Sequence, residues 1–199
     1  EVGQAAYGLL PVDSGEVSLP THNVSIGNPY QALQNRVAYV PKDRDGEALM
    51  MGASIQNNFC LPSVETLKGR FGFLSPKKLY QASSKAREQF SVKSTGVLMR
   101  ALSGGNKQKV NLGRWLIKDL DVLIVDCPTR GVDIGVKAYI YQCLREAKEK
   151  GMAILLITDE LSEVLGMADT IAVMKDGEIC KLLPRSAELS EETIIEVMT

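Results

Sequence analysis

Leu120-Asp121-Val122-Leu123-Ile124-Val125-Asp126-Cys127-Pro128-Thr129-Arg130-Gly131-Val132-Asp133 is an apolar, β-branched run that ends in an acid and then turns. Such a run reads as a buried parallel strand with Asp126 at its carboxyl end. Open α/β sheets place ligand chemistry at that edge, and an aspartate there can hold a hydrated Mg²⁺ ion beside nucleotide phosphates. Just upstream, Ala101-Leu102-Ser103-Gly104-Gly105-Asn106-Lys107-Gln108-Lys109-Val110 puts a Ser-Gly-Gly loop at the mouth of a basic, polar helix. Gly104 and Gly105 let the backbone approach a ligand, and the Ser103 hydroxyl can donate. The unpaired N–H groups of the first turn point their positive end at the same place. Taken alone, this loop reads equally as a phosphate site or as a Ser-capped helix after a flexible turn.

At 199 residues and 45% hydrophobic, the chain can bury a core and suits one domain with a possible insertion. A formal net charge of −1 gives no bulk attraction for nucleic acid, so nucleic acid is not expected as a partner. No apolar run approaches the ~18 residues that would span a bilayer, and no basic-then-apolar leader pattern opens the sequence. Cys60, Cys127, Cys143 and Cys180 are scattered, which fits reduced thiols better than a disulfide frame or a zinc site. The lone histidine, His22, reads as a surface residue of the Pro20–Asn23 turn.

The order of the signals carries a resemblance. A Leu-Ser-Gly-Gly helix, a short linker, the strand ending at Asp126 and the Thr129-Arg130-Gly131-Val132-Asp133 turn resemble the nucleotide-binding domain of ABC transporters. They are most similar to the second, C-terminal ATPase half of the tandem ATP-binding subunit of ribose- and galactose-type sugar importers. The resemblance covers nearly the whole chain and implies an α/β fold: a P-loop NTPase-like ABC ATPase core with a parallel sheet, an antiparallel β edge and an inserted helical subdomain. Residues 1–46 and 105–199 are then core, and 47–104 the helical signature subdomain. Residues 1–199 read as a fragment of one such domain, beginning in mid-helix at Glu1 without an initiator Met and truncated after the phosphate (Walker A) loop. No Gly-x-x-x-x-Gly-Lys-Ser/Thr occurs in the sequence.

In chain order, Glu1–Leu10 reads as the tail of a helix stopped by Pro11, and Glu16–Leu19 as a short edge strand. Gln31–Asn35 reads as a short helix leading into a strand over Arg36–Val40. The resemblance places a glutamine, which contacts water, Mg²⁺ and the membrane partner, at the position of Lys42. A cation there could touch phosphate but would not coordinate Mg²⁺, and a solvated charged turn over Lys42–Gly46 is an equal reading. Helix-prone segments at Ser54–Cys60 and Pro76–Phe90 belong to the subdomain expected to dock on the transmembrane subunit. Met50-Met51 and Phe71-Gly72-Phe73 are candidates for that docking face, although core is the commoner role for such residues. Trp115 reads as core. Downstream come a helix over Gly135–Lys150 closed by Gly151, a second buried strand over Met152–Thr158 and a helix over Glu160–Met167. An Asp176-Gly177 hairpin joins strands at Thr170–Met174 and Ile179–Leu182, and a last helix covers Ser190–Met198.

ABC domains pair head to tail, so the resemblance implies that Leu102, Ser103, Gly104, Gly105 and Asn106 face ATP held by a partner domain. Asn106 stands where glutamine is commoner, a variation these importers tolerate. It also implies that Asp126 binds Mg²⁺ through water and that Asp133 belongs to the turn at the domain interface. Two positions depart from the pattern. Cys127 replaces the glutamate that orients the attacking water, and Asp159 replaces the histidine that contacts the γ-phosphate. A thiol is a weak acceptor and a poor base near its ordinary pKa, and a carboxylate repels phosphate. No catalytic residue is therefore intact in this chain, although the full-length protein is expected to be an ATPase coupled to transport. The expected cofactors are ATP and Mg²⁺. The expected partners are the first ATPase half, transmembrane permease subunits and, through them, a solute-binding protein, at the cytoplasmic face of the inner or plasma membrane. The alternatives are a nucleoside as the transported solute, a soluble non-transport ABC ATPase, or a structural or regulatory ABC domain.

Overall fold

The structure is a computed structural model, and it describes residues 1–92, 96–186 and 189–198. The chain divides into two compact units, residues 1–155 and 156–199.

The first unit holds a parallel sheet with helices around it. It begins with α1 (Val2–Ala6), a two-residue antiparallel pair β1 (Ser18–Leu19) and β2 (Val24–Ser25), and α2 (Pro29–Gln34). β3 (Val37–Val40), β4 (Val122–Asp126) and β5 (Ala153–Ile157) form a sheet in the order β3-β4-β5. Between β3 and β4 lie α3 (Ile55–Cys60), α4 (Val64–Leu67), α5 (Pro76–Gln89) and α6 (Gly104–Leu116), and α7 (Ile134–Glu149) follows β4. The second unit contains α8 (Leu161–Met167), the antiparallel hairpin β6 (Thr170–Lys175) and β7 (Glu178–Pro184), and α9 (Glu191–Met198).

Local chemistry sets the ends of these elements. α2 starts two residues before the expected Gln31, because the Asn28 side chain accepts the Gln31 N–H at 2.9 Å and Pro29 takes the first helical position. α7 starts on Asp133, which accepts the Val136 N–H at 2.9 Å. It ends on Gly151 in the left-handed region, where Met152 N–H reaches back to Ala147 O at 3.2 Å. Asp176 and Gly177 both adopt positive φ, the twist a two-residue hairpin turn requires.

β3 and β4 are buried as their apolar runs predict, pairing in parallel from Val37 with Val122 to Val40 with Val125. The second strand departs from expectation. β5 is half-buried along its length and leaves Leu155 40% exposed, because it is the edge of the described sheet rather than a central strand. His22 also does more than sit in a surface turn. Its Nε2 lies 2.9 Å from Asp121 Oδ2, tying the β1–β2 turn to the approach of β4.

α6 is the hub of the first unit. Val110 joins Leu49, Ile55, Phe59, Ala86, Phe90, Val92 and Met99 in one apolar cluster, against which Leu102, Leu116 and Met51 also pack. Trp115 is buried as expected, with the Arg114 guanidinium 5.5 Å from its ring centre. Burial pulls the Arg114 pKa down to about 10, partly offset by the phenol of Tyr7. Arg114 donates to Ala48 O, so α6 grips the turn that follows β3. In the second unit Ile171, Val173 and Ile194 form a separate small core with Leu161, Val164 and Leu165.

Candidate functional site

The site is built on the N-terminus of α6. Ser103 is the residue before the first helical one, yet its side chain does not cap the helix. Its Oγ instead accepts the Asn106 side-chain N–H at 3.0 Å. The first bond of the helix runs from Lys107 N–H to Ser103 O at 2.9 Å, so the N–H groups of Gly104, Gly105 and Asn106 lie ahead of it without helical partners. Three helix amides without helical partners and the Ser103 hydroxyl thus lie together at the mouth of the helix, which is a geometry for an anion.

Three segments hold that point in place. A Cβ on Gly104 would stand 3.0 Å from the Arg44 guanidinium, and one on Gly105 would stand 2.7 Å from Val136 Cγ2 on α7. Gly105 is needed for this close approach, since the branched Val136 cannot move aside, whereas the end of the Arg44 side chain could give way to a Cβ on Gly104. Lys107 Nζ pairs with Asp45 at 2.9 Å, and the buried Gln108 donates to Pro128 O at 2.6 Å. Burial raises the Asp45 pKa, but the hydrogen bond and charge of Lys107, with help from Arg44, outweigh it and leave the carboxyl below its ordinary value. The depressed value means that the pair contributes at neutral pH and is lost only as pH falls through the carboxylate range. Asp45 is 44% exposed, so solvent keeps that contribution small.

The turn after β3 was legible only as charge. Lys42 is exposed, and Arg44 and Asp45 are the residues of this turn that touch the α6 N-terminus. Gln108 was not anticipated either. Its one sequence signal is polarity on a helix face where Val110, Leu112 and Trp115 are buried.

At the end of β4, Asp126 lies half-buried with the Tyr39 hydroxyl 3.5 Å from Oδ2. Burial first, then the Asp126 charge, pushes the Tyr39 pKa up to about 12. The folded value is raised, so the stabilisation is complete below the ordinary tyrosine value of 10.0 and is lost as pH climbs toward about 12. Urea unfolding across that range should show wild type losing stability and Tyr39→Phe losing less. Tyr7 and Tyr139, also raised by burial, add to the slope, as do Cys60 and Cys143, while the lowered Arg114 and Lys118 oppose it.

Cys127 follows with φ of +45°, a region that strains a side chain, and is buried. Asp133 caps α7, and the next residue, Ile134, is 85% exposed beside the α6 N-terminus that α7 supports. The β3–β4 register puts Pro41 and Lys42 alongside Asp126 and Cys127 at one sheet edge. Asp159 lies in the second unit, exposed, in the connection between β5 and α8. Among the described residues no group of three or more His, Cys, Asp or Glu could hold a metal ion, and no helix is long and apolar enough to cross a membrane.

An α/β sheet with an acid at the carboxyl end of its central strand, beside a glycine-opened helix, defines a nucleotide-binding class of protein. The profile of the ABC transporter family matches residues 3–130, and the chain belongs to that family. It is 37% identical to the ribose import ATP-binding protein RbsA of Lactococcus lactis, over all of this chain and 40% of that protein. It is 34% identical to the protein of the same name from Bacillus cereus, again over all of this chain and 40% of the relative. The chain thus spans about two fifths of the length of these relatives. Among solved structures, a nucleotide-free ATP-binding cassette of an ABC transporter superposes with a TM-score of 0.80 at 20% identity, covering 98% of this chain and 81% of that one. A dimeric bacterial ABC transporter cassette superposes with a TM-score of 0.78 at 18% identity, covering 94% and 80%. These two likenesses confirm the α/β ABC ATPase fold.

Proposed function

We propose that the chain is part of the second ATP-binding half of a sugar-importer subunit and that it completes an ATP site belonging to a partner domain. The observation that carries this reading is the unspent α6 N-terminus, where the Ser103 hydroxyl and the amides of Gly104, Gly105 and Asn106 have no cap to satisfy them. Aimed at a γ-phosphate, such donors stabilise charge as it develops. Leu102 anchors the loop by packing on the apolar cluster behind it. The exposed Ile134 beside Asp133 supplies an apolar contact for the facing domain.

The half-site on this chain's own sheet edge lacks the groups for turnover. Asp126 fits as one water-mediated Mg²⁺ ligand, since Mg²⁺ takes few carboxylates and completes its shell with water and phosphate. Bound Mg-ATP would supply the transferable phosphoryl group. Cys127 offers one weak acceptor where a water-orienting carboxylate is needed, and Lys42 adds charge without metal ligation. Asp159, in the second unit, is a carboxylate with no donor to offer a phosphate. Hydrolysis is assigned to the full-length pair of halves and not to this chain alone. The working partners are the first ATPase half and permease subunits at the cytoplasmic membrane face, with a solute-binding protein beyond them. The names of the RbsA relatives favour ribose or a similar sugar as the solute.

Calorimetry tests this. Mg-ATP titrated into the chain alone should give no saturable heat, because its 199 residues contain no phosphate-binding loop of the Gly-x-x-x-x-Gly-Lys-Ser/Thr type. Added to an ABC domain that carries such a loop, the chain should tighten that domain's Mg-ATP binding severalfold. Tight binding by the chain alone would overturn the division of labour.

A further inference from the structure

Between α4 and α5 the chain makes a tight turn that exposes what proteins normally bury. Gly69 N–H bonds Phe73 O at 2.7 Å, Gly72 N–H bonds Gly69 O at 3.2 Å, and Lys68 bridges Leu74 in antiparallel fashion. At the tip Phe71 is 83% exposed and Phe73 76%, with Leu74 and Tyr80 also open to solvent. Phe71 adopts φ of 66° and ψ of 19°, the left-handed region that a bulky side chain rarely visits. Backbone strain is thus held at a residue that gains little burial in return, so burial does not explain a phenylalanine here.

The charge around the tip is one-sided. Residues 61–85 carry five cations, Lys68, Arg70, Lys77, Lys78 and Lys85, against the single acid Glu65, in a chain whose formal net charge is −1; the next cation, Arg87, pairs with Glu88. Lys68 pairs with Glu65, whereas Lys77 and Lys78 are exposed at the start of α5. Beside them lies an open recess whose lining is mixed: Lys78, Lys85, Gln81 and Thr66 give it hydrogen-bonding groups, and Leu67 and Leu116 an apolar wall.

We propose that the 68–85 segment is a lipid contact: Phe71 and Phe73 enter the headgroup boundary of an anionic bilayer while Lys77, Lys78 and Lys85 bind its phosphates. Aromatic tips flanked by lysines match the two layers of such a surface, apolar beneath and negative above. An acidic protein groove would answer the cations but would give two solvent-facing phenylalanines no apolar medium; bases of a single strand could stack on the rings, so preference for an oligonucleotide over the vesicles would overturn the assignment. The inference needs no nucleotide and stands apart from the transport reading.

Co-sedimentation with sucrose-loaded vesicles tests it. The chain should bind phosphatidylcholine mixed with phosphatidylglycerol, bind phosphatidylcholine alone far more weakly, and be released by salt. Lys77→Gln with Lys78→Gln should weaken partitioning roughly thirtyfold at low salt. Phe71→Ser with Phe73→Ser should weaken it at least roughly tenfold. Phe71→Gly separates binding from folding: it relieves the left-handed strain, so the thermal midpoint should hold or rise while vesicle binding falls. Equal binding to both vesicle types, wild-type binding by the double serine variant, or binding only to vesicles that carry a membrane protein would overturn the proposal.

Discussion

Ser103→Arg, introduced into the assembled transporter, is expected to lower ATP turnover by about two orders of magnitude or more, while Cys127→Ala changes it less than about twofold. The asymmetry follows from where each side chain sits. Ser103 stands at the mouth of the helix, where three helix amides and its own hydroxyl lie together, with no bond to the helix backbone to occupy it. An arginine there removes the hydroxyl, fills the space a phosphate would take and leaves the fold intact, because the Ser103 side chain is exposed. Cys127 is already incapable of orienting water as a carboxylate does, so its sulfur contributes little to lose. Its φ of +45° is equally awkward for alanine, so the substitution adds no new backbone strain. Steady-state phosphate release from the reconstituted transporter measures both. Equal, large losses from the two variants would remove the proposed division between a donating loop and a non-hydrolysing edge.

The second large effect concerns the helix that presents the site. Phe90→Ala is expected to destabilise the first unit by about 3–5 kcal/mol, read as a shift of the urea midpoint followed by Trp115 fluorescence. Phe90 is 1% exposed, stacks near Phe59 at 6.3 Å and lies against Gly113 of α6. A Cβ on Gly113 would come within 2.7 Å of that ring. Gly113→Ala therefore sets a helix-propensity gain of about 1 kcal/mol against an overpacking loss of about 1–3 kcal/mol, and the buried ring has nowhere to go. A net loss is expected. In the Phe90→Ala background the clash is gone and the same substitution should become stabilising, a reversal of sign that additivity would forbid. If Gly113→Ala behaves identically in both backgrounds, Phe90 does not set the seat of α6.

Much of the chain was legible before its structure. The β3 and β4 strands, α5, α6, the Asp176-Gly177 hairpin and Gly151 as the stop of α7 follow from patterns that act within a few residues: periodicity, caps and turns. The Ser103-Gly104-Gly105 loop and Asp126 were legible as chemistry for the same reason, since glycine freedom and a strand-ending acid are local properties. Cys127, Asp159 and Lys42 stood out because a motif names its positions, although their roles rest on the proposed function.

Other features depend on what the chain brings together from a distance. Sequence could not say that Ser103 leaves its helix uncapped, since its bond to Asn106 competes with an equally local capping bond. Arg44 and Asp45 read as a solvated turn until α6, some sixty residues on, came to lie against them. β5 carries the apolar composition of a buried strand, but exposure is set by neighbours, and the described sheet ends with it. The 71–73 turn shows the converse: its phenylalanines read as a docking face or, more commonly, as core, and only the tertiary structure leaves both rings in solvent. Sequence by itself determined the family, the elements and the chemistry of single positions, because these act over one turn or one strand. Tertiary structure decided which of those positions share a surface, because burial and approach are properties of pairs far apart in the chain.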